Sequence, residues 1–102
     1  MKKEPIPVGM DENEYRASRL HLILGSLIRY RIYKLIGEEY GIDTSELADR
    51  TKRSLSTISY HIDKLKELDL INTKKEGLKS HHYIKREDIY YQVLAIEKIF
   101  DR

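Results

Sequence analysis

The stretch Glu46-Leu47-Ala48-Asp49-Arg50-Thr51-Lys52-Arg53-Ser54-Leu55-Ser56-Thr57-Ile58-Ser59-Tyr60-His61-Ile62-Asp63-Lys64-Leu65 reads as two helices and the turn between them. The first is short: Asp43 or Thr44 serves as its N-cap, and Thr51-Lys52-Arg53 supplies the polar turn after Arg50. Ser54 is a second N-cap. From there Leu55, Ile58, Ile62 and Leu65, spaced by three, four and three, write one apolar stripe along a longer helix over 55–68. Two helices joined by so tight a turn form a helix-turn-helix unit.

Working downstream, Leu70-Ile71-Asn72-Thr73-Lys74-Lys75 and His81-His82-Tyr83-Ile84 are β-favouring runs separated by the polar, glycine-containing Glu76-Gly77-Leu78-Lys79-Ser80. That is a hairpin, a wing over 74–82. Residues 86–101 form a last helix on which Ile89, Val93, Ile96 and Phe100 recur at helical spacing, with Tyr90, Leu94 and Ala95 beside them. Upstream, Leu27, Ile28, Ile32, Leu35 and Ile36 mark a helix that places Arg29, Arg31 and Lys34 on its opposite, solvent side. Ile42 is expected as a one-residue strand stub between that helix and the motif. Before it, 11–24 is helical, opened by the acidic Asp11-Glu12-Asn13-Glu14 and ended by Gly25-Ser26. Residues 1–10, with Pro5, Pro7 and Gly9, lack an apolar period and read as a flexible arm. The expected fold is mainly α with a small β-hairpin, in the order α-α-(β)-α-α-β-β-α, as one domain over 11–102.

The chain has 102 residues, no cysteine, 40% hydrophobic and 35% charged side chains, and a net charge of +2. One core fits that length, while disulfides, thiolate metal sites and cysteine nucleophiles are excluded. No apolar run approaches a membrane span and no secretory signal is present, so the expected location is the cytoplasm, without a membrane partner. The charge is unevenly placed: residues 44–86 hold ten basic and six acidic side chains, and residues 87–102 two and four. A basic segment on the motif and wing suits a nucleic-acid-facing surface.

The motif from Glu46 to Leu65 and on through Lys66-Glu67-Leu68-Asp69-Leu70-Ile71 resembles the helix-turn-helix of ArsR-like winged-helix transcriptional regulators, with their E-L-A, S-x-S-T-(V/I)-S-x-H-(L/I) and K-L-x-x-x-x-L-(I/V) segments. Arg29-Tyr30-Arg31-Ile32-Tyr33-Lys34-Leu35-Ile36 is similar to the family's preceding R-x-R-I-L-x-L-L helix, so the resemblance spans about residues 24–84. MarR-like and PadR-like regulators share the architecture. The resemblance implies a homodimer, formed through the first and last helices, that binds duplex DNA with the second motif helix in the major groove and acts as a repressor. In two places the sequence departs from the pattern. Lys52 and Arg53 stand where the turn usually has glycine and leucine, which puts the turn's geometry in question. The metal-sensing cysteines are missing, the last helix has no histidine, and no metal or cofactor is expected.

Within that frame the candidate DNA contacts are Thr44, Lys52, Arg53, Ser54, Ser56, Thr57, Ser59, Tyr60, Lys64, Lys74, Lys79, Ser80 and His81. Serine and threonine on a first helical turn meet phosphates and base edges, tyrosine meets a sugar or a thymine methyl, and lysine and arginine neutralise phosphates. Lys79 is the residue expected at the wing tip. His61 flanks the apolar stripe and reads as a packed, hydrogen-bonded histidine rather than a base reader. His81 and His82 point to opposite faces of a strand and cannot readily share a metal.

The terminal helices carry more apolar surface than one small core requires. Tyr15, Leu20, Ile23, Ile89, Tyr90, Val93, Ile96 and Phe100 are the candidate dimer residues, and a two-fold dimer would read a pseudo-palindromic site of double-stranded DNA. No phosphate loop, nucleophile elbow or HExxH motif occurs, so no catalytic residue is expected. The competing expectation is a winged-helix module that binds protein and never DNA.

Overall fold

The computed structural model describes residues 5–101. Helices α1 (Glu12–Leu24), α2 (Leu27–Glu38), α3 (Thr44–Thr51) and α4 (Leu55–Glu67) are followed by strands β1 (Ile71–Glu76) and β2 (Lys79–Ile84) and by helix α5 (Glu87–Lys98). This is the expected order. Of the arm, residues 5–10 contain neither helix nor strand, only a turn closed by the Met10 N–H on the Pro7 carbonyl at 3.2 Å; residues 1–4 lie outside the described residues.

Local chemistry explains where the helices begin. Asp11, Ser26, Asp43 and Ser54 each accept a hydrogen bond from the backbone N–H three residues on, at 2.8, 3.4, 2.9 and 3.2 Å, so every one of α1 to α4 has a side-chain cap. Asp43 is therefore the cap of α3, and Thr44 its first helical residue. The start of α5 is different: Arg86 makes a two-pronged bond to Asp88, and no side chain caps the helix.

The core lies where α2, α3 and α4 meet. Ile32, Tyr33, Leu35, Leu47, Ile58, Leu65 and Leu70 have at most 1% of their surface exposed. Burial on this scale is the main term holding so small a domain together. Two expectations about helix faces need correction. Leu55 and Leu27 carry the apolar period yet lie exposed, because each is the first residue of its helix and projects beyond the end of the core. Arg29 and Lys34, expected in solvent with Arg31, are buried; only Arg31 stays out. Long side chains let α2 turn both charges inward to partners on other helices, Arg29 to His61 and Lys34 to Glu97.

β1 and β2 pair antiparallel from Ile71 opposite Ile84 to Glu76 opposite Lys79. The expected stub adds a third, minimal strand: Asp43 bridges to His81, and the His82 N–H bonds the Ile42 carbonyl at 3.0 Å. The hairpin is thereby stitched to the start of α3.

The molecule is spread out for its size. Its radius of gyration is 14.6 Å, against about 13 Å for a compact chain of this length. The terminal helices project past the core and leave Leu22, Tyr91, Ile96, Ile99 and Phe100 exposed.

Candidate nucleic-acid interface

The turn between α3 and α4 keeps its geometry without the glycine. Lys52 adopts the left-handed conformation at φ 57° and ψ 44°, its N–H bonds the Asp49 carbonyl at 3.4 Å, and the Arg53 N–H bonds Ala48 at 3.1 Å. That pair of bonds is the Schellman arrangement normally built on glycine. A lysine there carries roughly 1–2 kcal/mol of backbone strain. Both basic side chains, Lys52 and Arg53, stand in solvent at the entrance to α4.

At that entrance sits a cluster of hydroxyls. Ser54 accepts the Thr57 N–H, and its own hydroxyl lies 2.9 Å from Thr57 Oγ1 and 3.1 Å from Ser56 Oγ. Ser54 and Ser56 are exposed and Thr57 is half-buried. One turn on, Ser59 and Tyr60 are exposed, with the Tyr60 ring 5.8 Å from the Arg29 guanidinium and 5.6 Å from the Lys64 ammonium. Two cations on one ring hold it by cation–π attraction and make the middle of α4 positive. Lys64 also pairs with Glu67 at 3.4 Å. Such a partly exposed pair is worth less than about 1 kcal/mol and yields readily to a phosphate.

Beneath this face, Arg29 is 8% exposed and reaches two other helices: its Nε donates to His61 Nδ1 at 3.2 Å and its Nη1 to the Ile23 carbonyl at 2.8 Å. His61 is thus the packed, hydrogen-bonded histidine expected from its place beside the stripe. As an acceptor at Nδ1 it must be neutral, and burial, then Arg29 and Arg53, push its pKa down. Sequence reasoning missed Arg29. Its helical spacing grouped it with the solvent face, and the only signal of its role is a His61 that needs a donor.

The wing is anchored at one end and free at the other. At its root His82 is 1% exposed, with Nε2 at 2.9 Å from Thr44 Oγ1 and Nδ1 at 3.0 Å from Thr73 Oγ1. Burial pushes its pKa down to about 4, so it too is neutral. Thr44, expected on the DNA, is half-buried and turned to this histidine. His81 faces the other way and donates from Nδ1 to the Gly41 carbonyl at 2.8 Å. The two histidines have separate partners, and among the described residues no group of three potential metal ligands exists.

Further out, Lys74, Lys75 and Lys79 are exposed and Ser80 is half-buried. Lys79 lies 3.8 Å from the buried carboxylate of Asp43, whose pKa is lowered by the Glu46 N–H first and by Lys79 next. The apex itself is Gly77-Leu78, not Lys79. A two-residue turn at φ 61° needs a glycine first, and the register leaves only Leu78 beside it.

Residues 26–72 match the family described as winged helix-turn-helix DNA-binding. The chain has the winged helix-turn-helix fold. An uncharacterized HTH-type transcriptional regulator from Methanocaldococcus jannaschii is 29% identical over 73 residues, 72% of this chain and 82% of that protein. HlyU from Vibrio cholerae superposes with a TM-score of 0.80 at 20% identity, covering 91% of this chain and all of that one. A homodimeric winged helix-turn-helix DNA-binding domain from Mycobacterium bovis, described as a possible ArsR-family regulator, gives a TM-score of 0.76 at 20% identity over 93% of this chain and 91% of its own.

The winged helix-turn-helix has a second face of different character, formed by α1 and α5. Between them runs an apolar groove of about 500 Å³ lined by Leu20, Leu24, Tyr30, Ile89, Val93 and Ile96, among others. Of the expected dimer residues, Ile23 and Val93 are already buried in the core of the single chain. Tyr15, Leu20 and Ile89 are half-buried, and Tyr90 packs on Tyr33 and Gly37. Ile96 and Phe100 are open, at 48% and 76%. Glu97 latches α5 to α2 by accepting from Tyr30 and Lys34, which together lower its pKa.

Proposed function

We propose that the protein is a homodimeric transcriptional regulator that reads a pseudo-palindromic duplex, with α4 in the major groove and the wing on the backbone or in the minor groove. The observation that carries this reading is the outward arc of α4. Ser56, Ser59, Tyr60 and Lys64 lie along one side of a helix whose start also offers Lys52, Arg53 and free backbone N–H groups. Short polar side chains, one aromatic and several cations on a single helical face match what base edges and phosphates require.

The dimer supplies the second half-site. The homodimer reported for the Mycobacterium bovis domain supports it, as does the apolar surface at Leu22, Ile96, Ile99 and Phe100, which water covers at a cost in a lone chain. A two-fold axis through α1 and α5 would space two α4 helices by one turn of DNA, roughly 34 Å. Repression by occupying a promoter requires nothing beyond these parts, and the site of action is the cytoplasm. No helix among the described residues is long and apolar enough to cross a membrane.

Selection from a random duplex pool, followed by affinity measurement across a salt series, tests this directly. A two-fold symmetric consensus is expected, with a steep fall of affinity with salt. Lys64→Ala and Lys79→Ala should each make the log–log slope shallower by about 0.9. Folded protein that binds no duplex at low ionic strength would leave the protein-interaction module as the better reading.

A further inference from the structure

The apex of the wing carries a side chain that the fold does not use. Leu78 is as open to solvent as a free residue, at 102%, and Gly77 beside it has nothing within 4 Å of the place where a Cβ would sit. From Lys74 to Lys79 every residue is exposed, so the outer half of the hairpin projects beyond the body anchored by His82. A turn at this position favours asparagine, serine or aspartate after the glycine. A leucine there violates the local rule without any packing return, which is the pattern expected of a functional position.

The surroundings indicate what the leucine meets. Lys74, Lys75 and Lys79 flank it, against Glu76 within the hairpin and the Asp43 carboxylate 3.8 Å from Lys79, and no apolar neighbour lies within the exposed hairpin. Protein interfaces bury an apolar cluster inside a polar rim, and one isolated leucine among lysines does not make such a cluster. A narrow basic hairpin with one apolar tip fits a different surface: the DNA minor groove. Its negative potential draws the lysines, and apolar side chains can be wedged there between stacked base pairs.

We propose that Leu78 is a minor-groove wedge, entering a base step beside each half-site, partly unstacking it and bending the duplex towards the major groove. The step it selects is a flexible pyrimidine–purine step, where unstacking costs least. The proposal rests on the DNA-binding reading above and adds to it a contact that carries sequence preference without base hydrogen bonds.

A duplex recovered from the random pool, with dyes at its ends and 2-aminopurine at the flanking steps in turn, separates the possibilities. Wild-type protein should shorten the end-to-end distance and brighten 2-aminopurine at one step. Leu78→Ala should lose both signals and about tenfold in affinity, keeping its thermal midpoint and salt slope because Leu78 touches nothing in the free protein. Leu78→Met should restore them. Lys79→Ala should do the converse, reducing the slope while the bend persists. An unchanged bend and 2-aminopurine signal in Leu78→Ala would overturn the wedge alone; absence of duplex binding by the wild-type protein would overturn the DNA reading and the wedge together.

Discussion

Helices α4 and α5 are 13 and 12 residues long and use their exposed sides in opposite ways. On α4 the open positions are mostly polar, Ser56, Ser59, Tyr60, Asp63 and Lys66, and beyond the exposed Leu55 the apolar stripe is sealed in the core. On α5 and the two residues beyond it, Tyr91, Ile96, Ile99 and Phe100 are open while the polar Glu97 is tied to α2. The difference fits the two partners proposed for these faces. Hydroxyls and cations over a satisfied core suit a hydrated, charged partner, and aliphatic and aromatic groups left outside suit a cover of protein.

The comparison breaks most visibly if each face is spoiled separately. Ile96→Asp with Phe100→Asp should leave the fold intact, since both side chains are exposed, and should give a 12.1 kDa species in sedimentation. Loss of the linked second half-site should then weaken binding to the selected duplex by about a thousandfold. Ser59→Glu should do the reverse, abolishing DNA binding while the sedimentation coefficient stays that of the dimer. A monomeric wild-type protein, or full operator affinity in the double aspartate variant, would remove the distinction between the two faces.

Acid should sharpen it. Both buried histidines lie on the side proposed to read DNA, His61 on the inner face of α4 and His82 at the wing root, and both are held neutral with lowered pKa values. The unfolded chain therefore takes up protons first as pH falls. Stability is full above the ordinary histidine value of about 6.5 and is lost on the way down to about 4, where folded His82 titrates. For His82 that amounts to about 3 kcal/mol. The α5 latch behaves differently: Lys34 first and Tyr30 next lower the pKa of Glu97, so it keeps its charge further down in pH than an ordinary glutamate. Urea midpoints between pH 7 and 4.5 should fall steeply in the wild type and in Glu97→Gln, and much less in His82→Gln. The same slope in His82→Gln would show that the wing root does not control the acid response.

These two sides were not equally legible in the sequence. The motif, the wing and the caps at Ser26 and Ser54 are short-range features, written in spacing and capping chemistry, and all are present in the structure; the strand stub expected at Ile42 falls one residue on, at Asp43. The inward turn of Arg29 and Lys34 was not legible, because periodicity assigns a face by residue type. Their burial depends on acceptors 32 and 63 residues away. Leu55 failed for a related reason: a period of 3.6 says which side a residue is on, not whether the core extends that far. At the candidate site, the hydroxyls of α4 were readable from the resemblance. The inward role of Thr44 was not, because it needs His82 from β2 to be brought against α3.

The smallest effect concerns how α5 is seated, and it turns on one glycine. Gly37 lies inside α2, where alanine would ordinarily stabilise the helix by about 1 kcal/mol. A Cβ there would stand 2.1 Å from Cζ of Tyr90, whose ring meets Tyr33 edge-on at 5.6 Å. Tyr90 is half-buried and has room to swing outward, so the substitution displaces the ring instead of unfolding the chain. Displacement forfeits the aromatic contact and part of the burial, about 1–3 kcal/mol, which outweighs the helix gain. Gly37→Ala should therefore be destabilising by about 1 kcal/mol net, and the shift of Tyr90 should loosen the dimer while leaving DNA contacts per subunit unchanged. In a Tyr90→Ala background the obstruction is gone and only the helix gain remains, so the same substitution should become stabilising by about 1 kcal/mol. Calorimetry on the four proteins of this cycle reads the reversal of sign. A Gly37→Ala that stabilises in both backgrounds would mean that Tyr90 is not held against α2, and that α5 is free to be positioned by the partner subunit alone.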